Sequence, residues 1–180
     1  MLIERERALL VIVDVQERVT TAIPGIDRIA ATIGRLLEGA RLLGVPVLAL
    51  EQNPAGLGAT IEALRRRLQP GEVLSKLNFA GFREPDIRAR IESLGRRQIV
   101  LAGIETHVCV LQTALSLLAG GYETFVVADA VGSREVDNRN RALDRLARDG
   151  IGIVTSEMVL FEWLGRFAGE EGRAVVRLVK

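Results

Sequence analysis

Short β-rich apolar runs recur along the chain, each followed by residues with helical spacing. They are ALLVIVD (8–14), VPVLAL (45–50), EVLSK (72–76), QIVLAGI (98–104), YETFVVADA (122–130) and GIGIVT (150–155). Runs of this kind bounded by turn residues predict strands. Between the first two, Ile26, Ile29, Ala30, Ile33, Leu36, Leu37, Ala40 and Leu43 follow the i, i+3, i+4, i+7 stripe, and Gly44 then supplies a left-handed stop. The spacing predicts a helix of about four to five turns. Gly120 with Gly121, and Gly150, close periodic stretches in the same way just before a strand.

Strand and helix alternating in this way predict a three-layer α/β/α fold around a mostly parallel, six-stranded, doubly wound (Rossmann-like) sheet. The unbroken apolar runs VIV, IVL and VV place their strands at the centre, buried on both faces. QNPAGLG (52–58) reads as a turn-rich loop, because the apolar pattern resumes directly after it. With no repeat, low-complexity tract or composition shift, a single domain over residues 1–180 is expected.

Ligands of such sheets sit beyond the carboxyl ends of the strands, where the strand order reverses. The residues expected there are Asp14, Glu51 with Gln52, Lys76, Gly103 to Cys109, and Asp129. Taken singly, each has an ordinary structural reading: a helix cap for an acid, a solvated charge for Lys76, a small buried hydrophobe for Cys109. An acid, a cation and a thiol at the ends of three different strands form a stronger signal. Cys109 also opens the helical stretch VCVLQTALSLLAGG, where unpaired N–H groups and the helix dipole would favour a thiolate.

Charge and cysteine usage narrow the partners. Lys plus Arg number 24 and Asp plus Glu 23, a formal charge of +1, which argues against a surface given over to nucleic acid or anionic lipid. A small-molecule substrate is expected. The one cysteine cannot form an internal disulfide, and MLIERERALLVIVD carries too short an apolar run for a signal-peptide core or membrane span, so a cytoplasmic location is expected.

The only histidine, His107, stands two positions before the only cysteine. In a helix, positions two apart point about 200° away from each other, so the imidazole would not reach the sulfur. His107 is expected to bond locally, leaving the thiol to be activated by another group.

LLVIVDVQERV, SKLNFAGF, VLAGIETHVCVLQTAL and GYETFVVADAVGSR together resemble the isochorismatase-like cysteine hydrolase superfamily, in order and over essentially the whole chain. EQNPAGLG is similar to the subgroup of isochorismatase domain-containing proteins. The resemblance implies a catalytic Asp at Asp14, a catalytic Lys at Lys76 and the nucleophile at Cys109. It further implies a cis peptide between Ile104 and Glu105, an oxyanion hole from the N–H groups of Glu105 and Cys109, and homo-oligomers, commonly dimers or tetramers. Two departures refine this. The zinc site of the nicotinamidases in this superfamily needs more histidines than the chain has, so no metal or other cofactor is expected. Isochorismatases proper lack the cysteine, so C–N or related acyl chemistry is expected instead.

In that chemistry Asp14 would take the thiol proton, Lys76 would stabilise the negative charge, and an acyl-enzyme would form on Cys109. Phe79 and Phe82, with Gln16, Gln52 and Thr106, are candidates to line a small, partly apolar substrate pocket. Trp163 with Phe161 and Phe167 reads as packing or a subunit contact. The rival readings are a catalytically silent or redox-sensing domain of the same fold, a phosphotransfer receiver and a phosphate-binding module. DVQERV offers neither the paired acids nor the glycine-rich turn that the last two require.

Overall fold

The computed structural model describes residues 1–180. In chain order its first elements are β1 (Ala8–Val13), α1 (Glu17–Thr20), α2 (Ile26–Leu43), β2 (Val47–Gln52), α3 (Pro54–Leu57) and α4 (Glu62–Arg65). Next come β3 (Val73–Lys76), α5 (Pro85–Ser93), β4 (Gln98–Ile104), α6 (Leu111–Ala119) and β5 (Glu123–Gly132). The chain ends with α7 (Val136–Arg148), β6 (Gly152–Val154), α8 (Ser156–Leu164) and α9 (Gly169–Val179). A 3-10 turn covers Gly81–Arg83, and a π-helical turn covers Thr106–Val110 and runs straight into α6.

All six strands expected from the apolar runs form, and every pairing is parallel, in the order β3-β2-β1-β4-β5-β6. The two-residue period of a strand sends alternate side chains to opposite faces. Ala8, Leu10 and Ile12 of β1 join a core with α2, α8 and α9, whereas Leu9, Val11 and Val13 join a second core with α5, α6 and α7. Both faces of β1 are therefore dry, which is why its sequence is apolar without alternation. Helix α2 ends where the sequence placed its stop: Gly44 takes φ 70° and its N–H turns back to the carbonyls of Ala40 and Arg41. Of the aromatic trio near the C-terminus only Trp163 is packing; Phe161 and Phe167 are exposed.

Two details fix the geometry around the centre of the sheet. Gly103 pairs with Val13, and a Cβ on Gly103 would lie 2.1 Å from the Val13 carbonyl oxygen. Only glycine lets β4 close against β1 at that point, and its φ of 132° is one that L side chains rarely adopt. Strand β5 runs two residues past the sequence expectation, to Gly132, because its register slips against β4: Leu101 pairs with Val126 but Gly103 with Val131. The chain leaves β1 toward β2 and β3, then crosses back to β4 on the other side. The carboxyl ends of β1 and β4 thus flank the point where the strand order reverses.

Candidate active site

Three non-glycine residues take positive φ: Asp14 (56°), Asn53 (38°) and Glu105 (52°). Each directly follows one of the adjacent strands β1, β2 and β4. Asp and Asn tolerate this conformation better than other side chains, Glu does not, and each such residue costs roughly 1–3 kcal/mol. Backbone strain is thus concentrated along one edge of the sheet. The expected cis bond between Ile104 and Glu105 is not found, since every peptide is trans; the chain turns there through the left-handed φ of Glu105.

Asp14, Lys76 and Cys109 come together at this edge. The Lys76 side chain, fully shielded from solvent, reaches from β3 past β2 to place Nζ 2.8 Å from Asp14 Oδ2. The same ammonium donates to Gln52 Oε1 at 2.6 Å and lies 3.4 Å from the carbonyl oxygens of Asn78 and Phe79. Asp14 Oδ1 is buried without a hydrogen-bond partner, and the Asp14 carboxyl and the Cys109 thiol each influence the other's protonation. Cys109 sits in the π-helical turn and is 5% exposed.

Burial pushes the Cys109 thiol up to about 12, the neighbouring Asp14 adds to the rise, and Lys76 opposes it. Burial also holds the Asp14 carboxyl above the ordinary aspartate range despite the pull of Lys76. Burial thus opposes the thiolate expected from a helix N-terminus. The sulfur precedes the regular turns of α6 and is buried, and desolvation of the anion outweighs the favourable dipole. Accordingly, the ultraviolet thiolate band of Cys109 should be missing at pH about 8.5, where an ordinary thiol is half ionised. A band titrating near that pH, absent from Cys109→Ser, would contradict this. On the acid side, the raised pKa of Asp14 means that its carboxylate is lost at a pH above the ordinary aspartate value of about 3.9.

The thiol opens onto a cavity of about 470 Å³ whose lining includes Asp14, Gln52, Phe79, Glu105 and Cys109. Phe79 is 51% exposed at its rim. Phe82 is not there: it is 6% exposed, packs edge-on against Tyr122 with centroids 5.3 Å apart, and carries the Arg88 guanidinium over its ring. The 3-10 turn that starts at Gly81 sends the two rings different ways. Gln16 is likewise away from the cavity. It is fully buried and ties loop backbone, with Nε2 donating to the carbonyls of Gln52 (3.0 Å) and Gly58 (2.7 Å) and Oε1 accepting from the Gln52 N–H (2.8 Å). Thr106 is buried beside Glu105 and does not line the cavity.

The other strand-end residues have structural partners. Glu51 accepts from the N–H and hydroxyl of Thr60 at 2.7 and 2.8 Å, and Asp129 accepts from the N–H and hydroxyl of Ser156 at the start of α8. His107 bonds locally, with Nδ1 3.0 Å from Ser133 Oγ and 3.4 Å from Glu105 Oε2. Sequence reasoning missed Arg18 and Arg134, both in the cavity lining, and the Glu105 side chain, whose Oε1 lies 3.2 Å from Arg134 Nε. A signal for Arg134 existed, since it stands two residues past the true end of β5.

Comparison with known proteins agrees with the fold and extends it. Isochorismatase domain-containing protein 1 of Salmo salar is 41% identical over 170 residues, covering 93% of this chain but 59% of its own length. The chain thus spans little more than half of that relative. The structure of the MAR1 ribonuclease of Caenorhabditis elegans superposes with a TM-score of 0.92 at 31% identity, covering 99% of this chain and 92% of the other. The YcaC gene product of Escherichia coli, described as an octameric hydrolase of unknown specificity, shares the fold with a TM-score of 0.88 at 22% identity, covering 99% and 87%. Residues 8–158 match the family described as Isochorismatase domain, and the chain belongs to that family.

Proposed function

We propose that the protein is a cysteine hydrolase that cleaves a small amide-type or related acyl substrate through an acyl-enzyme on Cys109. The observation that carries this reading is the buried cluster of thiol, carboxyl and ammonium opening onto one small cavity, with Lys76 Nζ 2.8 Å from Asp14 Oδ2. Because the resting thiol is neutral, deprotonation accompanies attack. Asp14 takes the S–H proton as sulfur bonds to the carbonyl carbon, and the carbonyl π pair moves to oxygen. The N–H groups of Glu105 and Cys109 hold that oxyanion; such a donor typically contributes on the order of 3 kcal/mol. Collapse breaks the C–N bond, and the amine leaves with the proton from Asp14. Asp14 then takes a proton from water, whose oxygen attacks the thioester, and the departing sulfur is reprotonated. Throughout, Lys76 offsets negative charge on the carboxylate and the sulfur.

Intact-mass measurement after exposure to a panel of small amides, ureides and nicotinamide-like compounds tests this. A mass increase equal to the acyl group, located at Cys109, is expected for at least one compound. No adduct and no turnover across the panel would remove the hydrolase reading. The redox-sensing alternative needs an exposed thiol of low pKa, and burial moves Cys109 the other way. The Caenorhabditis relative carries a ribonuclease name; an RNA oligonucleotide added to the panel is expected to stay intact, since the cavity is of small-molecule size.

We further propose a cytoplasmic homo-oligomer, a dimer or tetramer. Exposed Phe161 and Phe167 near the C-terminus favour subunit contact, and the Escherichia coli protein sharing the fold is described as octameric. No helix is long and apolar enough to cross a membrane.

A further inference from the structure

Charge matching around the cavity leaves one group over. Asp14 is matched by Lys76, and Glu105 by Arg134. Arg18 lines the same cavity, its Nη1 donates to the Gly56 carbonyl at 2.7 Å, and it takes part in no ion pair. Its chain neighbour Glu17 turns toward Gly58: Oε2 lies 2.9 Å from where a Cβ on that glycine would stand. The cavity mouth thus carries a single unmatched guanidinium, held in place through one N–H with its other donors free.

We propose that Arg18 is an anion-recognition residue and that the substrate is a small acyl compound bearing a carboxylate. The proposal rests on the hydrolase reading and names the substrate class for that site. The planar fork of a guanidinium matches the two oxygens of a carboxylate. A monoanion balances the surplus charge, whereas a phosphate dianion would leave the mouth negative. Val19, Leu57, Phe79 and Val108 in the lining suit an apolar body on the same molecule.

Calorimetry on the whole 180-residue chain carrying Cys109→Ser separates recognition from chemistry. The probes are benzoate, benzamide and phenyl phosphate. Benzoate is expected to bind about tenfold more tightly than benzamide, as a charge-assisted hydrogen bond supplies, and more tightly than phenyl phosphate. Its affinity should fall as salt is raised. Adding Arg18→Gln is expected to erase the preference over benzamide, and Arg18→Lys to keep part of it. Equal affinities, preference for phenyl phosphate, an unchanged preference in Arg18→Gln, or no binding of benzoate would each overturn the proposal. Since this variant does no chemistry, a benzoate preference found alongside a failed acyl-enzyme assay would sink the hydrolase reading while leaving Arg18 as an anion receptor. Acyl-enzyme formation with no benzoate preference would do the reverse.

Discussion

Replacing Cys109 with serine is expected to abolish turnover while leaving the fold in place. A serine hydroxyl is far harder to deprotonate than a thiol, and removing a nucleophile that works as a unit with its base typically costs about 10⁴-fold or more. The side chains differ by one atom, and the new hydroxyl can donate to Asp14, so the stability change should stay within about 1 kcal/mol. Steady-state rates and thermal unfolding of the same preparation check both halves. Activity above roughly one part in a hundred of the parent would take the nucleophile away from Cys109.

Gly103→Ala is expected to damage stability more than any surface change, by on the order of 4 kcal/mol or more. The added methyl group would meet the Val13 oxygen at 2.1 Å, its nitrogen at 2.6 Å and its carbonyl carbon at 2.8 Å. All three are backbone atoms of Val13, in the last pair of the β1–β4 ladder, so relief means moving the ends of β1 and β4 apart. The displacement falls directly before Asp14 and Glu105, so surviving protein should also lose activity. Gly71→Ala is the matched comparison. Gly71 has φ 83° and nothing within 4 Å of its missing Cβ, so only the conformational cost of about 1 kcal/mol applies. Denaturant unfolding of both variants decides: a Gly103→Ala loss no larger than that of Gly71→Ala would mean that close approach is not what glycine serves there.

The strands and the long helix were legible in sequence because parallel central strands need unbroken apolar runs and helices need a stripe with a stop. The positions of Asp14, Lys76 and Cys109 followed from the same logic, since a polar residue that ends a dry strand emerges at a defined edge. Phe79 and Phe82 mark where this logic fails. Their spacing is the same for a ring in solvent and a ring in core, and only the turn at Gly81–Arg83 separates them. Gln16 escaped for a related reason: an amide reads as a ligand contact or as backbone support, and three loop hydrogen bonds make it support. Arg134 lay hidden behind the β4–β5 register slip, which moves the true strand end past Asp129. The trans peptide before Glu105 corrects an expectation that attached geometry to a motif, and burial of the thiol works against the charge the motif suggested.

The order of the strands also bears on how the chain is made. β1 is translated before the other five strands of the sheet and lies at its middle, yet one of its two neighbours is β4, beginning at Gln98. While the first half is emerging from the ribosome, β1 can pair with β2 but keeps a bare, strongly apolar flank, the kind of edge that invites pairing with other chains. Closure waits on a contact across some ninety residues, and long-range parallel pairing of that sort is slow. Nascent chains interrupted between β3 and β4 are therefore the ones most in need of chaperone cover.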